Sequence, residues 1–133
     1  MKLRADQIEV GTSIIEVASL EFTDRDFADT EIIDFVNAPA GKIIIPVVVS
    51  MSRNITTAYE SQIAFNVAYA SGSSISGFVV EANTGNSTSV KAPDFNSFPN
   101  AGNQIKITKG SGTESAGVGK IKFTMAYYLT DTI

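Results

Sequence analysis

The stretch Asn37-Ala38-Pro39-Ala40-Gly41-Lys42-Ile43-Ile44-Ile45-Pro46-Val47-Val48-Val49-Ser50-Met51 decides the fold class. Three isoleucines and three valines surround one proline. A membrane helix needs about 20 consecutive apolar residues, and this run is stopped by Lys42 on one side and by Ser50, Ser52 and Arg53 on the other. β-Branched side chains lose χ1 freedom against the preceding helical turn. Pro46 would also remove a helix-interior hydrogen bond and clash with the carbonyl four residues back. The run therefore reads as a strand. Proline donates nothing to a ladder, so Pro46 predicts a sheet edge, a bulge or a bend between sheets. Apolar side chains at successive positions predict burial on both faces, by a second sheet or by a neighbouring subunit. Pro39 and Gly41 supply the turn that leads into the strand.

The flanking sequence repeats the β signature in short alternating runs rich in Ser, Thr, Asn and Gly. Towards the N-terminus, Ile8–Val10 and Ser13–Val17 read as early strands separated by Gly11. Thr23-Asp24-Arg25-Asp26-Phe27 has an acid three residues after a threonine, a weak capping box that predicts one helical turn. Glu31–Val36 reads as a strand, followed by the turn and by Lys42–Ser50. Towards the C-terminus, Gln62–Tyr69 puts Ile63, Phe65, Val67 and Tyr69 on one face and Ala64, Asn66 and Ala68 on the other. Ile75–Glu81 is a further strand, Asn83–Ser89 a turn-like stretch and Ser89–Ala92 a short strand. Ala92–Gly102 reads as a long loop tacked down by Phe95 and Phe98. Gln104–Lys109 alternates with Ile105 and Ile107 inward, and Ser111–Gly119 is a glycine-rich loop. Lys120–Thr130 closes the chain, with Ile121, Phe123 and Met125 facing inward. About eight short strands without a long helix predict an all-β fold: an antiparallel two-sheet β-sandwich, jelly-roll-like, with at most one helical turn. The chain reads as one domain over residues 1–133, with residues 1–20 as an N-terminal attachment extension.

Composition narrows the chemistry. The 133 residues include no cysteine and no histidine, so thiolate ligands, disulfides, the commonest metal ligand and the usual general base are all missing. There is no tryptophan for sugar stacking. A net charge of −4 and a pI near 4.7 argue against a nucleic-acid partner. The charge is uneven: up to Val36 nine acids face three bases, whereas the remainder is net +2. That asymmetry suits either a solvated acidic face or attraction between subunits. Met1-Lys2-Leu3-Arg4-Ala5-Asp6 shows no apolar core of signal-peptide length after its bases, which predicts synthesis in the cytoplasm without a membrane partner.

No catalytic pattern emerges. Asp24, Asp26, Asp29 and Glu31 invite a calcium reading, but an EF-hand loop starting at Asp24 needs glycine sixth and glutamate twelfth, where Asp29 and Phe35 stand. Seven Asp and seven Glu make some close carboxylate pair inevitable, so pairing carries no signal for glycoside hydrolysis. A serine nucleophile lacks a histidine base and a G-x-S-x-G elbow. Gly41-Lys42 lacks the spaced glycines and the Ser/Thr of a P-loop. Tyr59, Tyr69, Tyr127 and Tyr128 fit core or interface positions with hydroxyls at the rim. The expectation is a non-enzyme with no cofactor and no metal site.

One family does come into view. Phe27, then Thr30-Glu31-Ile32-Ile33-Asp34-Phe35-Val36-Asn37-Ala38-Pro39-Ala40-Gly41-Lys42-Ile43-Ile44-Ile45-Pro46, and finally Gly117-Val118-Gly119-Lys120-Ile121-Lys122-Phe123 with Tyr127 or Tyr128, resemble small β-sandwich structural proteins of tailed bacteriophage virions. The resemblance runs from about Thr23 to Thr130. It implies capsid decoration or a head or tail spike, commonly a homotrimer, bound to major capsid or tail proteins, made in the host cytoplasm and resident in the virion. Ile8, Val10, Ile14, Ile15 and Val17 are then the candidate subunit or capsid contacts, with an added strand on a neighbour's sheet edge as one mode of attachment. The alternative is a carbohydrate- or receptor-binding module that meets a host surface glycan through its loops. Its candidate residues are Arg53, Tyr59, Asn83, Asn86, Phe95 and Phe98.

Overall fold

The structure is a computed structural model that describes residues 14–94, 96 and 101–132. Eight strands follow one another: β1 (Glu16–Thr23), β2 (Ile32–Asn37), β3 (Lys42–Thr57), β4 (Ile63–Tyr69), β5 (Ser74–Val80), β6 (Gly85–Lys91), β7 (Gln104–Lys109) and β8 (Val118–Asp131). They form two four-stranded antiparallel sheets, in the orders β1-β8-β3-β6 and β2-β7-β4-β5. The chain deals its strands between two packed sheets in the jelly-roll order, as the alternating runs predict.

Period-two side-chain alternation builds the core. Ile63, Phe65, Val67 and Tyr69 of β4 and Ile105 and Ile107 of β7 bury one face of their sheet. Phe22, Val49, Met51, Ile55, Ile121, Phe123 and Met125 answer from the other. Aromatic edges join the two layers. Phe65 and Phe123 meet T-shaped at 5.3 Å, and Phe78 and Phe123 at 5.9 Å. Phe27 lies between strands yet is fully buried, edge-on to Phe22 at 5.3 Å and to Phe65 at 5.2 Å.

Several expectations change. No helical turn forms at Thr23–Phe27. Asp24 takes φ of 49°, its amide bonds the Gly119 carbonyl, and Phe27 makes an extended bridge to Glu114. Burying the Phe27 ring outweighs the weak local capping signal. The strand expected at Ser13–Val17 is β1, which begins at Glu16 and continues to Thr23; Ile8–Val10 lies outside the described residues. β3 does not stop at Ser50, because Met51 and Ile55 carry the inward alternation on to Thr57. The stretch from Gly85 to Ser89 is strand, not turn. β6 is exposed at every position after Gly85, so no apolar alternation marks it in the sequence.

Pro46 sits where its missing N–H is least needed. β3 pairs with β8 along its whole length, but with β6 only from Val49 to Ile55. The Ile44 amide points away from β8 and reaches the Gly102 carbonyl at 2.9 Å. Pro46, two residues on, faces the same open side. A register shift between Pro46 and Val48 makes a bulge there. Edge and bulge are both as expected; of the burial expected on both faces, by a second sheet or by a neighbouring subunit, a single chain supplies the first on one face. Ile44, Pro46 and Val49 are buried, Ile43, Ile45 and Val48 only half-buried, and Val47 is 45% exposed. The second sheet covers one face of the strand and nothing among the described residues covers the other.

Two substitutions test this account. Pro46→Val should keep the fold and cost about 1 kcal/mol or less, mainly through a freer unfolded chain; a non-cooperative urea unfolding curve would contradict the edge placement. Phe27→Ala should cost about 3–5 kcal/mol in the same measurement, whereas a cost below about 1 kcal/mol would mean that its ring does not join the layers.

Candidate interaction surfaces

The two central strands of the first sheet outrun their neighbours. β3 has 16 residues and β8 has 14, against six or seven for each strand of the second sheet. β1 begins pairing at Glu16 opposite Tyr127, and β6 reaches only Val49. Lys42–Ile45 and Tyr128–Asp131 therefore form a two-stranded ribbon flanked by neither. An isolated two-stranded ribbon is marginal in water. Here its inner face is held by the Tyr69 hydroxyl, which donates to the Ile44 carbonyl at 2.7 Å. Tyr127 and Leu129 pack on the same core, and Lys42 pairs with Asp131 at the tip.

The outer face of the first sheet is divided. In its lower half, cross-strand rows set Glu21, Lys122, Ser52 and Thr88 abreast, then Thr23, Lys120, Asn54 and Asn86. The upper half is apolar. Val17 lies opposite Ala126, which lies opposite Val48, and Tyr128 lies opposite Ile45. Val17 is 66% exposed, with Ile14 at 83% and Ile15 at 53% just before it. Val47 at the bulge extends the patch. The structure thus brings Val17 together with the outer side of the proline-bearing strand and leaves Ile14 and Ile15 at its margin. Ile8 and Val10 lie outside the described residues. The sequence signal for this patch was the unbroken apolar run itself.

The loop candidates are placed differently from expectation. Arg53 and Asn86 are strand residues, in β3 and β6. The Arg53 guanidinium is spent on the Glu81 and Asn83 carbonyls and on the Asn83 side chain, which fixes the β5–β6 turn. The Tyr59 ring is buried, tilted against Phe27, with its hydroxyl donated to the Arg25 carbonyl at 2.7 Å. Gly117 lies flat on that ring, and a Cβ there would fall 2.4 Å from it. Phe95 and Phe98 lie outside the described residues. Arg53 and Asn83 are therefore brought together as a structural pair, and Tyr59 serves the core.

The acidic segment after β1 is a set of tethers. Asp24 accepts from the Gly119 amide at 2.8 Å, and Asp29 from the Gly112 amide at 2.7 Å. Glu31 accepts from Arg25 and from the Ala28 amide, and these bonds hold its carboxyl below the usual range. Arg25 stacks over Phe22 and Phe27, 5.1 and 4.8 Å from the ring centres. Across the gap, buried Glu114 accepts from Ser61, while buried Lys109 donates to the Gly110 and Gly112 carbonyls. These groups pair with one another except at Arg25 Nη1, which is buried without a hydrogen-bond partner among the described residues, and among those residues no three acids gather to hold a metal ion. Ser61, Lys109 and Glu114 were not singled out in the sequence, because nothing local marks a buried charge.

No family model matches the chain, and no curated protein matches it. Among solved structures, one described as "Bacillus endospore appendages form a novel family of disulfide-linked pili" is similar over 98% of both chains, at 13% identity and a TM-score of 0.43. So distant a likeness carries no argument about function.

The buried tyrosines give the fold an alkaline limit. Burial pushes the Tyr69 hydroxyl up to about 12 and also raises Tyr59. Above the ordinary tyrosine value near 10 the unfolded chain loses this proton and the folded chain keeps it, so stability falls as pH rises from about 10 to 12. Denaturant titrations at pH values on either side of that window should show the loss, and Tyr69→Phe should flatten it. A Tyr69→Phe profile identical to that of the parent would contradict the assignment.

Proposed function

We propose that this chain is a non-enzymatic structural subunit that docks on a larger particle through the apolar half of the first sheet's outer face. The particle implied by the sequence resemblance is a tailed bacteriophage virion, where the chain acts as a capsid decoration or as a head or tail spike component. Its partners are major capsid or tail proteins and further copies of itself, closing as a homotrimer. It is made in the host cytoplasm and resides in the virion. The observation that carries this reading is the patch formed by Val17, Ala126, Val48, Ile45 and Tyr128, with Val47 beside it. A contiguous apolar face of this kind marks an interaction surface. Its Ile45–Tyr128 end lies on the short ribbon, a poor place to leave apolar side chains in water. Asp24, Asp29, Glu31, Arg53 and Lys109 are engaged in holding loops, which supports a scaffold role over a chemical one.

Gradient-purified particles from a lysate of the source supply the test. Quantitative mass spectrometry should find the chain at a fixed ratio to the major capsid or tail protein. Replacing Val17 and Val48 by Asp should remove it from the particles while leaving the purified protein folded. Abundance in the lysate with absence from the particles would overturn the reading.

A further inference from the structure

The edges of the first sheet differ from those of the second. In the second sheet, β2 carries an extra residue between Asp34 and Val36, and β5 carries one at Ile75, between the partners of Val67 and Ala68. Such irregularities blunt an edge. In the first sheet, β1 pairs with β8 and β6 pairs with β3 without any shift, and neither β1 nor β6 contains proline. Among the described residues no backbone group pairs with the outer side of either strand. Regular, unpaired edges are templates for a further strand.

Strand direction makes these two edges mutually compatible. β1 is antiparallel to β8, β8 to β3, and β3 to β6, so β1 and β6 run in opposite directions. A second copy set beside the first in the same orientation therefore presents β6 antiparallel to β1. The two strands have eight and seven residues. Their charges are complementary as well: β1 carries Glu16 and Glu21 and no base, β6 carries Lys91 and no acid. Asp24, Asp26 and Asp29 extend the acidic side beyond β1, and Arg53 lies beside β6 on the other.

We propose that copies of this chain join edge to edge, β1 of one copy pairing antiparallel with β6 of the next, so that the first sheet continues across a heterologous interface. The inference rests on the reading of the chain as an assembling subunit and supplies the contact between siblings. A heterologous contact leaves one open edge at each end, so it either closes into a ring, of which the trimer is the smallest, or propagates.

Sedimentation velocity of the full chain over a range of concentrations tests this with two double variants, one that reverses charge on β1, Glu16→Lys with Glu21→Lys, and one that adds negative charge to β6, Asn86→Glu with Val90→Glu, all at exposed positions. The parent should sediment as more than a monomer. Each double variant alone should associate at least about tenfold more weakly, and the equimolar mixture should regain association as alternating copies, although a three-membered ring, which must hold one like-variant contact, should not be fully restored. A variant that had merely misfolded could not rescue its partner. Loss of association in the β1 variant with none in the β6 variant would exclude β6 as the partner edge and overturn the proposal. Unchanged association in both variants would also overturn it, while leaving the subunit reading intact. A parent that stays monomeric throughout would overturn edge pairing, and co-purification with particles would still decide the subunit reading separately.

Discussion

The ladder between β3 and β8 is the constraint on which the rest of the molecule depends. At roughly 3.3 Å per residue a 16-residue strand spans about 50 Å, against about 20 Å for the strands of the facing sheet. A sandwich whose central pair is this long cannot cover both ends equally. Its lower part is flanked by β1 and β6 and backed by the phenylalanine core. Its upper part becomes a ribbon, held to the second sheet by Tyr69 and by Gly102 on the Ile44 amide. The bulge at Pro46 falls where the ribbon begins. There it ends one pattern of alternation and starts another, so that Ile44 and Val49 can both face the core although an odd number of positions separates them.

Loop closure at the opposite end follows from the same geometry. β8 enters the ladder at Val118, far from where β1 ends in sequence but beside it in space. Gly119, with φ of 138°, lies so close to β3 that a Cβ would fall 2.2 Å from the Asn54 carbonyl oxygen. Asp24 fastens that glycine from the β1 side, and Asp29 fastens Gly112. Phe27 is drawn into the space beneath, where Arg25 covers it with its guanidinium and ties to Glu31. The acidic segment thus serves three purposes: it caps the core, pins the β7–β8 connection and leaves a negative margin along β1.

Much of this was legible in the residues. The inward faces of β4, β7 and β8 follow directly from alternation at Ile63–Tyr69, Gln104–Lys109 and Ile121–Met125, because one side of each is buried and the other, apart from Ala68 at the β4–β5 register shift, is not. The proline placement was legible for the same reason: a strand that contains Pro46 can exist only where an N–H is dispensable. What could not be read was whatever depends on partners distant in sequence. β6 carries no apolar face, so its strand character comes only from pairing with β3. A core or interface place for Tyr59 could be read, but its partners Phe27 and Gly117 could not. Lys109 ends an alternating run as a surface lysine would, yet it is buried because two carbonyls of the following loop fold over its ammonium. The helical turn expected at Thr23 fails because a capping box contributes about 1 kcal/mol, whereas burying a phenylalanine is worth more.

The charge asymmetry of the sequence also acquires a location. Acids crowd the first third of the chain, and the fold lays Glu16 to Asp34 along the β1 and β2 side of the sandwich, while Arg53 and Lys91 stand on the β6 side. Within one copy the two margins are separated by the width of a four-stranded sheet, about 15 Å at ordinary strand spacing, beyond the screening length at physiological salt. They therefore contribute little to the stability of a single chain. Their arrangement has a consequence only when two copies lie side by side, where the same charges come within one strand spacing of each other. An even number of antiparallel strands makes that juxtaposition antiparallel as well. Charge, strand direction and edge regularity arise from different parts of the sequence, and they agree on one geometry.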